Sequence, residues 1–474
     1  MRGFRKVLAV LAVILLPMSV SMPVFADDST ADIEKRLNDL EEQVADLKEE
    51  LFKKKQAAAS SAVVTANSKD GFSIKSEGGD YKLQIGGYIQ ADAREFADNK
   101  KDLGYSSGFI ARRVRIILQG TVARDFDFYL QPEFGYNDTY STITSTAPSA
   151  YAVALQDAWV DYKHFPWATI KGGKFKIPFD LENLQDTRYT NFPEIGLTGN
   201  LSPQRDVGFQ LGGNLFKDRL TYAVGIFGGA ADHENFYGGS STAGGNNNNR
   251  YGAGRIFVQP FKATSLTPLS GLGIGYAATY GKEKGTDLPT YITPGQAPVF
   301  SYNSGVSADG PQLRGSPQFY YYYNSLGVLG EYVDSEETLK YTSGSNIIKD
   351  KLDNRAWQLS GTYVLTGENA SYTGVIPNHD FDPLNGSWGA FELAARYGQL
   401  AIDHKVFDDG FANLNTSISA EKAWAVGINW YLNRNAKLVF DFEQTKFRRG
   451  AVNGPSTDDR KTENLFTGEF QLSL

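Results

Sequence analysis

From Gly71 to Leu474 the chain alternates apolar and polar residues in one segment after another of about ten residues, and this period of two constrains the fold more than any other feature. Successive side chains of a strand point to opposite faces. Tyr81 to Phe96 therefore places Leu83, Ile85, Ile89, Ala91 and Ala93 on one face and Lys82, Gln84, Tyr88, Gln90, Asp92 and Arg94 on the other. Phe126, Phe128, Leu130 and Phe134 against Asp127, Tyr129, Gln131 and Glu133 repeat the pattern, as do Phe391, Leu393, Ala395 and Tyr397 against Glu392 and Arg396. Trp424, Val426, Ile428, Trp430 and Leu432 against Glu421, Asn429 and Tyr431 repeat it again. A soluble sandwich and a membrane barrel share this alternation, but connection lengths separate them. Strands are expected near 81–96, 109–120, 126–136, 151–163, 168–178, 206–216, 220–229 and 250–261, then 270–281, 314–323, 328–336, 352–365, 387–402, 421–432, 437–447 and 462–474. Tight turns at 121–125, 164–167, 217–219, 324–327 and 433–436 alternate with much longer connections, as in an outer-membrane barrel with short turns at one rim and long loops at the other. Thr366 to Gly386 is long where a short turn is due, so that turn carries an insertion or two strands are missing from the count. The expected fold is all-β, a 16-stranded antiparallel transmembrane β-barrel, with 18 strands as the alternative.

The N-terminal region obeys different rules. Residues 1–26 read as a secretory signal peptide: Arg2, Arg5 and Lys6 precede the apolar run Val7 to Leu16, and Val24-Phe25-Ala26 supplies small residues at the positions a signal peptidase reads. Ten helical residues span only about 15 Å, half a hydrocarbon core, and no other segment approaches the roughly 18 apolar residues of a membrane helix. Residues 27–55 carry a heptad seam, with Leu37, Val44 and Leu51 at a and Ile33, Leu40 and Leu47 at d, between positions dominated by Asp, Glu, Lys and Arg. So short a seam is expected to associate only where something else holds the subunits together. Residues 56–71, rich in Ala and Ser, read as a linker, and 72–474 as the barrel. The chain has no cysteine, which excludes disulfides, Cys-ligated metals and thiol chemistry.

The residues also carry a resemblance. Phe109-Ile-Ala-Arg-Arg-Val-Arg115, Gly173-Lys-Phe-Lys-Ile-Pro-Phe179, Leu220-Thr-Tyr-Ala-Val-Gly-Ile-Phe-Gly228, the run Phe319 to Tyr323, Leu365-Thr-Gly-Glu-Asn369 with Ala390 to Tyr397, and Trp430-Tyr-Leu-Asn433 occur in order and span nearly all of the chain after residue 72. Together they resemble the phosphate-selective porin O and P family. The resemblance implies a homotrimer of sixteen-stranded barrels, each with its own aqueous pore, in the outer membrane of a Gram-negative cell.

The formal charge of the chain is -7, and residues 61–474 account for -6 of it, so no global attraction for anions or nucleic acid is expected. A local basic ring still decides selectivity. Face parity sends Arg94, Arg113, Arg115, Lys174, Lys176, Arg255 and Arg396 into the lumen as pore-lining candidates. Asp127, Glu133, Asp157, Asp161, Glu392, Asp441 and Glu443 oppose them. Family members that conduct phosphate are expected to present a ladder of several bases, whereas the longest period-two basic runs here are the pairs Arg113 with Arg115 and Lys174 with Lys176. The third long loop, Asp180 to Arg205, is the expected constriction by analogy with general porin architecture, with Asp186, Arg188, Glu194 and Arg205 as its candidates.

Other motifs are weaker. Alternation sends half of Tyr320 to Tyr323 inward, where they offer a stacking path for sugars, although an aromatic girdle is the commoner reason for such a run. Gly271 to Gly275 lacks the following helix of a phosphate cradle. Asp380, Asp382 and Asn385 lack the terminal Glu of a calcium loop and read as a polar turn. Gly244 to Asn249 is a low-complexity loop. His164, His233, His379 and His404 fall in no arrangement with Ser or Asp that suggests an enzyme, and no cofactor or metal is expected. The expected function is a general or weakly ion-selective porin in the outer membrane, working by passive diffusion of small ions and hydrophilic solutes, phosphate among the possible anions, with its heptads on the periplasmic side. The competing reading is a secreted soluble β-protein with a coiled-coil stalk, acting as a binding module. An outer-membrane hydrolase is a more distant one.

Overall fold

The structure, a computed structural model, describes residues 29–60, 62–67, 71–97, 107–135, 153–229, 249–452 and 454–474. It divides into two units, Met1–Ser61 and Ala62–Leu474. Residues 1–26, where a signal peptide is expected, and loop residues 244–248 lie outside the described residues.

The first unit is helix α1, Ser29–Ser60, a single run without Gly or Pro. Its apolar positions Leu37, Leu40, Val44, Leu47 and Leu51 are all exposed in the single chain. The side chain of Ile33 lies outside the described residues.

The second unit is a closed ring of sixteen antiparallel strands with two further strands at its seam. The extra pair is β1 (Ala62–Asn67) and β2 (Gly71–Ser76). The first half of the ring is β3 (Lys82–Ala97), β4 (Gly108–Val122), β5 (Phe126–Glu133), β6 (Ala154–Phe165), β7 (Ala168–Lys176), β8 (Arg205–Leu215), β9 (Leu220–Phe227) and β10 (Arg250–Val258). After β11 (Leu272–Gly285) a small inner hairpin intervenes, β12 (Tyr291–Ile292) with β13 (Pro298–Phe300). The ring resumes with β14 (Val306–Tyr323), β15 (Leu326–Ser343), β16 (Asn346–Val364), β17 (Ala390–Ala401), β18 (Ile418–Tyr431), β19 (Ala436–Arg449) and β20 (Glu463–Ser473). Closure comes from β20 on β3, from Asn464 opposite Ala97 to Ser473 opposite Tyr88. Below that point β3 continues, and β2 takes over its edge, Phe72 opposite Ile85 to Lys75 opposite Lys82. The hairpin thus pairs backbone groups that the stagger of the ring would leave open. Where the two partners meet, the Leu474 N–H donates to Gly87 O at 2.8 Å.

This corrects the linker: residues 56–60 continue the helix, and 62–67 form a strand paired with β2. It also settles the long turn. Residues 365–389 are an insertion at the short-turn rim, and β16 pairs directly with β17 on either side of it. The strands of the β14 to β16 hairpins run well past their expected ends, to 18 residues in β15 and 19 in β16, joined by two residues at the long-loop rim.

The outer face is an apolar belt. Phe209, Val224, Ile226, Ile256, Ile274, Leu359, Leu393, Val426, Phe440 and Phe466 all remain exposed on it, where lipid rather than a second sheet covers them. That arrangement removes the soluble alternative. The lumen is more apolar than alternation suggests, because a core of Phe175, Ile177, Phe179, Leu197, Leu201, Val333, Leu352 and Leu400 lies inside the ring.

Candidate functional site: the constriction loop and its passage

The segment 177–204 leaves β7 and lies inside the barrel, packed on the wall from β15 to β19 and on β3 and β4. Apolar anchors come first: Ile177, Phe179, Leu181, Leu197 and Leu201 are each at most 1% exposed. Asp180 caps the short helix α2, Leu181–Leu184, by accepting from Asn183 N at 2.7 Å. Glu331 on β15 accepts from Leu181 N at 2.8 Å and from Gln358 Nε2 at 2.8 Å. Glu182 takes Arg396 Nη1 at 3.0 Å and Gln358 Nε2 at 2.6 Å, while Arg396 also reaches Glu443 at 3.2 Å. Farther along the loop, Asn191 donates to Glu392 at 2.9 Å and Lys437 donates to Thr190 O at 2.9 Å.

Glu194 is the hub of the other anchor. Its carboxylate takes Arg94 Nη2 at 2.6 Å, Arg113 Nη2 at 3.2 Å, and both Nε and Nη2 of Arg112, the latter at 2.9 Å. Burial alone would raise its pKa, but the guanidinium groups of Arg112, Arg113 and Arg94 hold it well below the usual carboxylate range. Asp186 follows the same logic: burial acts upward, and the bonds from Arg188, at 2.7 and 3.1 Å, bring it down to about 2.

The insertion 365–389 reaches the same loop from the opposite rim. The Tyr372 hydroxyl donates to Leu181 O at 2.6 Å, Gln185 Nε2 donates to Tyr372 O at 2.7 Å, and the Tyr372 ring stacks on Tyr320 at 5.4 Å. The loop and the insertion fill the lumen beside β14 to β19. A passage of about 350 Å³ remains beside β3 to β10. Its charged lining is Arg115, Lys171, Lys176, Arg205 and Arg255 against Asp157 and Asp186. Tyr88, Tyr129, Trp159 and Thr187 also line it. Lys171 stands over the Trp159 ring at 4.2 Å, and Trp159 stacks on Tyr129 at 5.4 Å.

The candidates from the sequence therefore part company. Arg115, Lys176 and Arg255 line the passage; Arg115 binds Glu133 and the Tyr88 hydroxyl, each at 2.5 Å, Lys176 donates to Gln185 O at 2.7 Å, and Arg255 donates to Gln318 at 3.0 Å. Arg94, Arg113, Arg396 and Glu392 fasten the loop. Asp127 sits near the short-turn rim, paired with Lys163 at 2.6 Å. Asp186, Arg188 and Glu194 are on the inward loop, whereas Arg205 is the first residue of β8 and binds Asp157 at 3.0 Å.

Lys174 is a correction. It is buried, 4% exposed, and stands outside the lining of the passage, although it pairs with Val207 on β8. Phe175 and Ile177 belong to the apolar core inside the ring. Lys171 joins Lys176 of the same strand in the lining, and parity reading missed it. Arg112 was missed as well, since the register of β3 with β4 shifts between Gln90 and Ala91, so that Arg112 is an extra residue and two consecutive arginines face inward. The doublet Arg112-Arg113 was the available signal. The tyrosine path dissolves: Tyr320 packs on Tyr372 and Phe257 in the filled half, and Tyr321 donates outward to Pro268 O at 2.7 Å. Asp382 caps its own turn, accepting from Asn385 Nδ2 at 2.6 Å.

Comparison with known proteins agrees with this architecture. The family model for phosphate-selective porin O and P matches residues 83–474. Porin O of Pseudomonas aeruginosa is 22% identical over 415 residues, covering 81% of this chain and 87% of that protein. Among solved structures, OmpF of Salmonella typhi in complex with daunomycin superposes with a TM-score of 0.52 at 13% identity, covering 87% of this chain and 100% of its own. An anion-selective porin from Comamonas acidovorans gives a TM-score of 0.48 at 11% identity, covering 83% and 100%. With the family match running from the first ring strand to the last, the chain is an outer-membrane porin and belongs to the phosphate-selective porin O and P family.

Proposed function

We propose that the passage conducts small anions, phosphate among them, in preference to cations, by passive diffusion without covalent chemistry. The observation that carries this reading is the lining: five basic side chains against two acidic ones in the open part of the lumen. A low-dielectric wall concentrates such a local charge, so the net negative charge of the whole chain does not decide selectivity. The name of the family that the chain matches, phosphate-selective porin O and P, points the same way.

Three copies are proposed to assemble, each with its own pore. The heptad helix is proposed to stand on the periplasmic side, since the strand after it belongs to the short-turn rim, and to staple the three chains through Leu37, Leu40, Val44, Leu47 and Leu51. Residues 1–26 are proposed to be removed on export.

The test is single-channel conductance and reversal potential of the purified full chain in a planar bilayer under a KCl gradient, repeated with added inorganic phosphate. A reversal potential of anionic sign, three conductance steps per insertion and partial block by phosphate are expected. A cationic sign, or the absence of channels from folded protein, overturns the reading.

A further inference from the structure

Three guanidinium groups from two adjacent strands close on one carboxylate of the constriction loop. Arg112 offers Nε and Nη2 to the two oxygens of Glu194, Arg94 adds Nη2 at 2.6 Å and Arg113 adds Nη2 at 3.2 Å. The side chains involved are at most 11% exposed. Two further acids stand by: Asp92 binds Arg94 at 2.7 Å and Glu469 lies 4.0 Å from Arg113. Three formal positive charges thus face three negative ones, and the balance holds only while Glu194 is seated.

The donor set is also that of an oxyanion site. Forked and convergent guanidinium groups suit a tetrahedral anion as well as a carboxylate. The site adjoins the passage: Arg113 Nη1 holds Gln90 Oε1 at 3.0 Å, Gln90 Nε2 holds Thr187 O at 3.3 Å, and Thr187 lines the passage with Arg115, two residues beyond Arg113.

We propose that Glu194 sets the ion preference of the channel by filling, with its own carboxylate, a three-arginine oxyanion site at the edge of the passage. Glu194 then acts as a built-in competitor for polyvalent anions, and its loss extends the basic wall from Arg115 to Arg113, Arg112 and Arg94. The proposal rests on reading the passage as the conducting path, and it is tested by shifts relative to the unaltered channel.

The experiment measures full-length Glu194→Gln in planar bilayers, with inorganic phosphate as the probe anion. The anion-to-cation permeability ratio is expected to rise about threefold, and the phosphate concentration that halves the chloride current to fall about tenfold. Arg112→Gln, which leaves Glu194 in excess, is expected to move the ratio the other way. A Glu194→Gln channel of defined conductance with unchanged ratio and phosphate sensitivity overturns the proposal and leaves Glu194 a fastener of the loop. If release of the loop makes that channel noisy, the Arg112→Gln shift decides: a shift toward cations supports the proposal, and no shift overturns it. A cation-selective unaltered channel overturns the anion reading of the passage, while the sign of the Glu194→Gln shift still decides the role of Glu194.

Discussion

Arg112 and Arg113 are neighbours in sequence, yet both direct their guanidinium groups to the carboxylate of Glu194 inside the barrel. A regular strand forbids this, and the bulge opposite Gln90 and Ala91 permits it. Deleting Arg112 closes the bulge and keeps the pairs Gln90 with Arg113 and Ala91 with Ala111, so Phe109, 92% exposed, stays outward, as it does in Arg112→Ala. The deletion is therefore expected to keep its yield of folded barrel, judged by heat-modifiable migration in gels, as Arg112→Ala does. A loss of folded barrel from the deletion alone would refute the reading of Arg112 as the extra residue.

Arg396 joins Glu182 of the loop to Glu443 of β19 in a buried group. Arg396→Ala leaves both carboxylates without it, at a cost of roughly 3–5 kcal/mol for breaking a buried pair. A clear fall in the thermal midpoint is expected, and a midpoint within a degree or two of the parent would contradict it.

Acid should loosen the loop late. A carboxylate whose folded pKa is depressed contributes fully above its ordinary pKa, 4.5 for Glu194 and 3.8 for Asp186, and loses that contribution as pH falls through the depressed value. For Asp186 that value is about 2. Pepsin should therefore spare the segment 177–204 at about pH 4 and begin to cut it only toward about pH 2. Cleavage at the higher pH would show that these ion pairs do not hold the loop.

Two lysines three residues apart should behave differently. Lys171 lines the passage, whereas Lys174 is buried and stands outside its lining. Lys171→Gln is expected to lower the anion-to-cation ratio severalfold, and Lys174→Gln to leave it unchanged. The same reversal-potential measurement checks both, and equal effects would show that Lys174 acts on the permeating ions as Lys171 does.

Deleting residues 27–60 should leave the ring intact while lowering the temperature at which subunits separate. The readout is a temperature series of native-like oligomer bands. An unchanged separation temperature removes the stapling role of the heptads.

The strands were legible because the apolar belt imposes a period of two that nothing else in the chain imitates. Their ends were not, since beyond the belt the pattern fades, as in Asn346 to Lys351, where a polar stretch extends β16 without alternation. Parity placed Arg94, Arg113, Arg115, Arg255 and Arg396 on the inner face. It failed at Arg112, where the strand is irregular, and at Lys171, which lines the passage although it stands at the opposite parity to Lys176. The docking of the loop was illegible for another reason: its partners are remote, as with Glu182 and Arg396, 214 residues apart, so no local spacing announces them.

Strand β3 serves two partners in series, β2 along Lys82 to Ile85 and β20 along Tyr88 to Ala97. The two claims on its edge never overlap. Closure is therefore the work of β20, and the N-terminal hairpin acts as a gasket, sealing the stretch of β3 edge that the stagger leaves bare, so that both share one strand without competing for it.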